Sequence, residues 1–304
     1  MENSTKQVAQ QPQPQPQPQN SLRSFTNYIF ADNTQNYIQK LVGEHKREFT
    51  NNMLSLVNGD PTLQTCDPKT IMFAALKATT MNLPIDKNLG LVYIIPFKNN
   101  KTGVTEGQFL IGIDGLIQLA MRSGQFKTIN TGEVKEGELI EENILSGEII
   151  LKKVPNRENV KTVGYFAYFK LRNGFEKTIY ATTAEVEAHA LRYSQSYSSK
   201  NKYVKDNSPW STNFSQMAQK TLLKKILKKY APKSIETKFI DEAIAADQAV
   251  ITDKGNQYVD NETIIETASE EMPTEEVKEQ PTEEQPKQPQ KQQEIPLPDA
   301  FKGL

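Results

Sequence analysis

The sequence is poor in the residue types on which most enzyme sites depend. It contains one cysteine, Cys66, and two isolated histidines, so it can form no internal disulfide and offers no zinc site. It also lacks the G-x-x-x-x-G-K-[ST] motif, which excludes an ATPase of the P-loop kind at the level of the motif. No run reaches the ~18 apolar residues that a membrane span needs, and the N-terminus has no apolar signal region. We therefore expect a soluble, intracellular protein that has no cofactor and no bound metal.

Charge is distributed very unevenly along the chain. The formal net charge is only −1. Residues 241–304, however, contain 16 acidic and 5 basic residues, a net charge of −11, which leaves +10 for residues 1–240. Such a division is typical of a body that binds a polyanion and an acidic tail that competes for the same surface or recruits a partner.

Low-complexity segments set the expected domain boundaries. "QQPQPQPQPQN" near the start and "EEMPTEEVKEQPTEEQPKQPQKQQEIPLP" near the end are polar and rich in proline, and hydrophobic residues make up only 37% of the chain. Segments of this composition cannot bury enough apolar surface to offset chain entropy. The sequence therefore predicts a disordered tail over 1–20, a folded domain over 21–246 and a disordered acidic tail over 247–304.

Hydrophobic periodicity predicts an α+β fold within that domain. Helical spacing over 33–57 ends at the turn "NGDP", and a second helix over 67–80 begins with Asp67 as N-cap and Pro68 just inside. The runs "LGLVYIIPF", "GQFLIGI", "KTVGYFAYFKL" and "FEKTIYA" are β-branched and aromatic, and Asn173-Gly174 between the last two indicates a tight hairpin. Further helices are predicted in "DGLIQLAMRSG", which Gly124 ends, and in "TAEVEAHALRYS". We expect helices packed on a small, twisted antiparallel sheet.

A lysine-rich helix is the strongest sequence signal of function. "SPWSTNFSQMAQKTLLKKILKKY" covers 208–230, with Ser208 as a candidate N-cap and Pro209 in the first helical position. At about 100° per residue, five lysines fill one half of the helix and five apolar residues the other half. The lysines are Lys220, Lys224, Lys225, Lys228 and Lys229. Because like charges so close together repel one another, we expect a counter-charge on a partner.

Aromatic residues accompany these cations and favour nucleic acid as the partner. "RYSQSYSSKNKYVKDNSPW" interleaves Tyr193, Tyr197, Tyr203 and Trp210 with basic residues. Cations that follow a phosphate backbone, with aromatic faces on which bases stack, are what binding of single strands requires. An acidic protein partner and a merely solvated face remain the alternatives. A second basic set flanks the predicted hairpin.

One pattern is typical of an enzyme. Asp114 followed by Glu133-Val134-Lys135 resembles the Asp…Glu-x-Lys arrangement with which some nucleases hold a divalent metal and orient water. The same three letters recur at Glu276 to Lys278, inside the predicted acidic tail. A metal-dependent nuclease is therefore kept as the alternative function.

Three segments together resemble the signature blocks of the RecT family of phage and prophage recombinases. They are "LPIDKNLGLVYIIPF" (83–97), "LIGIDGLIQLAMRSGQF" (110–126) and "PWSTNFSQMAQKTLLKKILKKYAP" (209–232), in the family's order, and the resemblance covers 36–240. The family pattern maps onto Gly112, Gly115, Leu119, Arg122, Ser123, Gly124, Trp210, Met217, Ala218, Lys220 and Thr221. The chain departs from some members at Asp114, where they have a basic residue, and in using lysine pairs where others use arginine.

The resemblance implies single-stranded DNA binding and ATP-independent annealing of complementary strands in DNA recombination and repair, not an enzyme. It further implies a homo-oligomer, a ring or a helical filament, that holds the annealed duplex, a phage exonuclease and a host single-strand-binding protein as partners, no membrane association, and the cytoplasm of a bacterial host cell. Together with the charge pattern, it predicts these DNA-binding residues: Arg122, Lys161, Lys170, Arg172, Lys177, Lys200, Lys202, Lys205, Trp210, Lys220, Lys224, Lys225 and Lys228.

The acidic tail carries a separate hypothesis. It ends in "EIPLPDAFKGL", where isolated apolar residues return after a long polar stretch. Such a tether suits either occupation of the basic surface as a weak mimic of DNA or docking on a partner, and a merely solubilising tail is the alternative. If it competes with DNA, removal of 247–304 is expected to raise the affinity for single strands, most of all at low salt, where screening is weakest.

Overall fold

The structure, a computed structural model, describes residues 18–99 and 102–258. Of the predicted disordered tails, 1–17 and 259–304 lie outside these residues, whereas 18–20 and 247–258 lie within them. Asp67 is the N-cap of the helix that begins at Pro68, as predicted, since its carboxylate accepts the backbone N–H of Lys69 at 3.0 Å. The helical stretch predicted over 33–57 is interrupted at Gly43, which has a φ of 58°. The helices are α1 (Pro18–Phe30), α2 (Asp32–Val42), α3 (Lys46–Asn58), α4 (Pro68–Thr80), α5 (Ile113–Arg122), α6 (Thr183–Tyr193), α7 (Lys202–Asp206), α8 (Pro209–Thr212), α9 (Phe214–Tyr230) and α10 (Lys238–Ala246).

The strands form small antiparallel sheets, which confirms the α+β fold class. They are β1 (Val92–Lys98), β2 (Thr105–Ile111), β3 (Phe126–Lys135), β4 (Leu139–Glu142), β5 (Ile149–Leu151), β6 (Thr162–Leu171), β7 (Glu176–Thr182), β8 (Ala249–Thr252) and β9 (Gly255–Gln257). The four predicted strands do not share one sheet, however. One sheet has the order β1-β2-β8-β9, a second has the order β3-β6-β7, and β4 and β5 pair as a separate hairpin.

The predicted hairpin at Asn173-Gly174 is confirmed. Lys170 pairs with Glu176, and Gly174 takes a φ of 93°, a conformation that glycine adopts at little cost. The backbone N–H of Leu171 donates to the carbonyl of Phe175 across the turn. The hairpin therefore closes through one residue more than the two-residue turn that the sequence indicated.

The α9 helix is buried against the second sheet through its apolar half. Leu222, Leu223, Ile226 and Leu227 are all buried, and the helix packs on β6, β7 and β3. The α4 helix packs in the same way on β2 and β8 of the first sheet. Each sheet thus has a helix on its core side, and the opposite half of α9 is left facing outward.

Two glycines of the second signature block allow α5 to begin directly against the backbone of Gly90 and Leu91, the two residues before β1. A Cβ at Gly115 would lie 2.2 Å from the carbonyl oxygen of Leu91, and one at Gly112 would lie 1.8 Å from that of Gly90. Neither position has room for a side chain, because the obstacle is backbone. The glycines of "GIDG" therefore serve the packing of α5.

The packed structure continues past the predicted domain boundary at residue 246. Asp247 is buried, and β8 inserts Ala249, Val250 and Ile251 into the core beside β2. The predicted folded range of 21–246 is thus too short at its C-terminal end. Residues 247–258 belong to the fold and not to the tail.

A deletion that tests the acidic tail therefore has to begin after Tyr258. A chain lacking 259–304 is expected to keep its folded structure and to bind single strands more tightly than the full chain at low salt. A chain lacking 247–304 also loses Asp247 and β8, and we expect it to unfold. Circular dichroism and binding titrations at several ionic strengths measure both. Equal affinity of the full chain and the shorter chain at every salt concentration contradicts competition by the tail and leaves docking on a partner.

Candidate nucleic-acid interface

The lysine-rich segment folds as two helices and not as one. Ser208 is the N-cap as predicted, because its Oγ accepts the backbone N–H of Ser211 at 3.2 Å. The short α8 helix that it starts ends at Asn213, whose φ of −138° and ψ of 49° are not helical. A new helix, α9, begins at Phe214. The break changes the direction of the chain between Trp210 and the lysines.

The outward half of α9 presents a surface of ammonium groups. Lys225, Lys228 and Lys229 are exposed, and we call these three residues the lysine face. At the end of the helix the Nζ atoms of Lys229 and Lys177 each lie 5.4 Å from the centre of the Tyr230 ring. Cations at this distance are attracted by the ring. The lysine face is thus continuous with Lys177 on β7.

Glu185, at the start of α6, is an acidic neighbour of Lys225. The backbone N–H and the hydroxyl of Thr182 hold the pKa of Glu185 below its usual value, and the charge of Lys225 contributes. Thr182 and Glu185 form a reciprocal capping box, which fixes this carboxylate at the start of the helix. The side chain of Glu185 therefore already caps its own helix, α6.

Lys220 and Lys224 point toward the core and bind a carboxylate that the sequence did not single out. The Nζ of Lys220 donates to Oδ1 of Asp247 at 2.9 Å, and that of Lys224 donates to Oδ2 at 2.6 Å. Oδ1 also accepts the backbone N–H of Ile111 at 3.0 Å. Burial tends to raise the pKa of Asp247, but the two ammonium groups outweigh it and lower the pKa.

The prediction that Lys220 contacts DNA requires correction. Only 6% of Lys220 is exposed, and its ammonium group is occupied by Asp247. Burial lowers the pKa of Lys220, while the charge of Asp247 opposes this. Lys224 is partly exposed but shares the same carboxylate. Lys220 is therefore a structural residue, and Lys224 links the buried site to the lysine face.

Trp210 is also buried, so its ring does not offer an open face for stacking as predicted. It lies within an aromatic cluster, with ring centres 5.6 Å from Phe214 and 6.4 Å from both Tyr197 and His189. This cluster joins α6, α8 and α9. Trp210 thus anchors the segment that carries the nearby lysines.

The remaining predicted contacts lie at three places on the surface. Lys200, Lys202 and Lys205 are exposed near the aromatic cluster, where the Nζ of Lys205 lies 5.3 Å from the centre of the Tyr197 ring. Lys161 lies just before β6, and Lys170, Arg172 and Lys177 lie at the hairpin that joins β6 and β7. Lys170 pairs with Glu176 at 3.2 Å. As sites of DNA contact, all seven residues remain predictions.

Arg122 supports the fold from the end of α5. Its guanidinium donates to the backbone carbonyls of Met81 at 2.8 Å and Asn82 at 2.9 Å, which follow α4. These carbonyls lie where a helix leaves acceptors without intrahelical partners. Arg122 therefore ties α5 to the end of α4. A contact between Arg122 and DNA, as the sequence predicted, would use a guanidinium that already makes these two hydrogen bonds.

The residues of the nuclease pattern, Asp114, Glu133 and Lys135, are not brought together as a metal site. The carboxylate of Glu133 accepts hydrogen bonds from Lys135, Thr162 and Ser215, and the pKa of Glu133 is lowered because these bonds outweigh the effect of burial. Asp114 lies instead beside Gly90, at the start of α5. In the part of the chain that the structure describes, no three His, Cys, Asp or Glu side chains are grouped so that they could hold a metal ion.

Comparisons of the sequence relate this chain to known proteins. The sequence pattern of the RecT family matches residues 47–264. YqaK of Bacillus subtilis (strain 168), an uncharacterized protein, is 37% identical over 228 residues, 74% of either chain. Protein RecT of Escherichia coli (strain K12) is 30% identical over 190 residues, 62% of this chain and 66% of that protein. None of the helices within 18–99 and 102–258 has the length and apolar character needed to cross a membrane.

Proposed function

Since the chain belongs to the RecT family, we propose that it binds single-stranded DNA and anneals complementary strands in homologous recombination without ATP. The observation that carries the proposal is the lysine face of α9. Three exposed ammonium groups stand on a helix whose opposite half is fixed in the core. A row of cations on a fixed helix is suited to a phosphate backbone, which every single strand offers whatever its sequence.

Annealing by this route needs no chemical energy source. Base pairing and stacking supply the free energy, so the protein has only to hold one strand extended until a complement arrives. Lysine is suited to such temporary contacts, because its ammonium group is a compact, well-hydrated point charge and not a planar fork. We therefore propose a binding protein and not an enzyme.

The surface lysines and arginine from the sequence prediction are the proposed contacts beside the lysine face. They are Lys161, Lys170, Arg172, Lys177, Lys200, Lys202 and Lys205. We further propose that copies of the chain assemble into a ring or helical filament that also holds the annealed duplex. On the family resemblance alone, we propose a phage exonuclease and a host single-strand-binding protein as partners, in the cytoplasm of a bacterial host.

An annealing assay with magnesium and without nucleotide tests this function against the nuclease alternative. Complementary labelled oligonucleotides are mixed with the protein, and both pairing and strand length are followed on gels. We expect faster pairing and intact strands, because Glu133 is held by three donors. Cleavage that requires magnesium and disappears in Asp114→Ala contradicts the proposal and establishes the nuclease. Pairing no faster than in buffer contradicts it as well.

A further inference from the structure

The outward face of the second sheet carries a cleft that the lysine face does not include. Along β6, Tyr165, Ala167 and Phe169 face the core, so the alternate residues Phe166 and Tyr168 face outward and are half-buried. A cleft of about 390 Å³ lies between these two rings and the β4–β5 hairpin. This volume falls within the range of small-ligand sites in proteins.

Neighbouring groups hold the two rings of the cleft in place. Phe166 stands opposite Gly132 of β3, and its ring extends across that residue so closely that a Cβ there would meet it at 3.0 Å. The hydroxyl of Tyr168 donates to Oε2 of Glu176 at 2.6 Å. Two aromatic side chains fixed two residues apart on a strand offer bases a surface for stacking.

The charges around the cleft favour a base inside it and phosphates at its edge. Glu148 and Glu176 line the cleft, and their carboxylates repel a phosphate but can accept hydrogen bonds from base amino groups. Lys177 stands at the edge of the cleft, where its Nζ donates to the carbonyl of Ser146. Through Tyr230, Lys177 is continuous with Lys229 of the lysine face.

We propose that this cleft receives unpaired bases of the bound strand, which stack on Phe166 and Tyr168 while the phosphates follow Lys177 and the lysine face. The inference rests on the proposed function and adds the site that distinguishes single strands from duplex. A base that is already paired is stacked in the helix and does not enter the cleft. Pairing with a complement therefore withdraws the base and favours release of the strand from this site.

Oligonucleotides with and without bases test the cleft. The probes are an oligothymidine and an abasic oligomer of the same length, with equal numbers of phosphates. We expect the wild-type chain to bind the oligothymidine more tightly. The double variant Phe166→Ala/Tyr168→Ala is expected to lose about fivefold or more in affinity for the oligothymidine, since stacking on one ring is worth about that much, and to bind the abasic oligomer as the wild type does. Phe30→Ala/Tyr37→Ala, which removes two exposed aromatic rings on α1 and α2, away from the cleft lining, is the matched control and is expected to retain affinity.

Photocrosslinking of the wild-type chain provides a readout that does not depend on a variant folding correctly. An oligonucleotide containing 5-iodouracil is irradiated in the complex, and crosslinked peptides are mapped by mass spectrometry. We expect crosslinks at Phe166 or Tyr168. Crosslinks confined to other residues, or equal oligothymidine affinity of the double variant and the wild type, overturn the cleft proposal and leave the proposed function intact. A wild-type chain that binds neither oligonucleotide overturns both.

Discussion

Asp247→Asn is expected to lower the free energy of unfolding by about 3–5 kcal/mol, the usual cost of removing one partner of a buried ion pair. The carboxylate is fully enclosed and is shared by Lys220, Lys224 and the backbone N–H of Ile111. An asparagine keeps an oxygen for the N–H but leaves the ammonium group of Lys220 buried without a counter-charge. Urea titration followed by circular dichroism measures the loss.

The control for Asp247→Asn is the double variant that also removes the buried ammonium group. Lys220→Met fills similar space without charge, so Asp247→Asn/Lys220→Met is expected to lose clearly less stability than the sum of the two single changes. Strict additivity of the two changes means that the ion pair contributes no coupling energy. Stability of Asp247→Asn within about 0.5 kcal/mol of the wild type, the usual range for surface substitutions, contradicts the buried pair itself.

The same carboxylate gives the stability a defined pH dependence. The pKa of Asp247 is lowered in the folded protein, since the two ammonium groups outweigh burial. Its contribution is therefore present above the unfolded-state pKa of about 3.9 and is lost as the pH falls through the lower folded-state pKa. The difference in stability between wild type and Asp247→Asn is expected to be largest near neutral pH and to shrink below about pH 4.

Replacement of the lysine face by alanine is expected to weaken binding of single strands about tenfold or more while leaving the fold intact. Alanine is a good helix former, and the apolar half of α9 is untouched. Because each lost phosphate contact lowers the slope of log affinity against log salt by about 0.7 for single strands, Lys225→Ala/Lys228→Ala/Lys229→Ala is expected to lower it by about 2. Fluorescence anisotropy at several salt concentrations measures both quantities.

A variant with the same change in net charge separates local contacts from long-range attraction. Lys40→Ala/Lys46→Ala/Lys98→Ala removes three lysines that lie on α2, α3 and β1. We expect its salt slope to remain close to that of the wild type. If both triple variants lose the same affinity and slope, the lysine face is no more than part of a general positive charge.

Several local elements of this fold could be predicted from the sequence, because each depends on residues that are close together in the chain. The Asp67 and Ser208 caps, the Asn173-Gly174 hairpin and the end of α5 near Gly124 are each decided by a few neighbouring residues. The division of the strands between two sheets was not readable. Alternation shows that a segment is a strand but not which strand it pairs with, and β8 is a four-residue strand that pairs with β2 far back in the chain.

The functional residues also divide into those that the sequence predicts correctly and those that it does not. A helical wheel placed Lys225, Lys228 and Lys229 outside, as the structure has them. It placed Lys220 with them, but Lys220 lies only about 20° from Leu227 on the wheel, and a residue at that boundary turns inward when a buried carboxylate is available. Nothing in the sequence near α9 indicates that Asp247 provides that carboxylate. The outward rings of Phe166 and Tyr168 could have been noticed from the alternation of β6 alone.

The second-order rate constant for pairing of two complementary strands, measured by fluorescence energy transfer without nucleotide, tests the central claim most directly. The wild type and the Lys40/Lys46/Lys98 variant are expected to raise this rate well above that in buffer. The Lys225/Lys228/Lys229 variant, folded by circular dichroism, is expected to lose most of the acceleration. Pairing by this variant at the wild-type rate, or acceleration by the wild type only when ATP is added, would contradict annealing through the lysine face of α9.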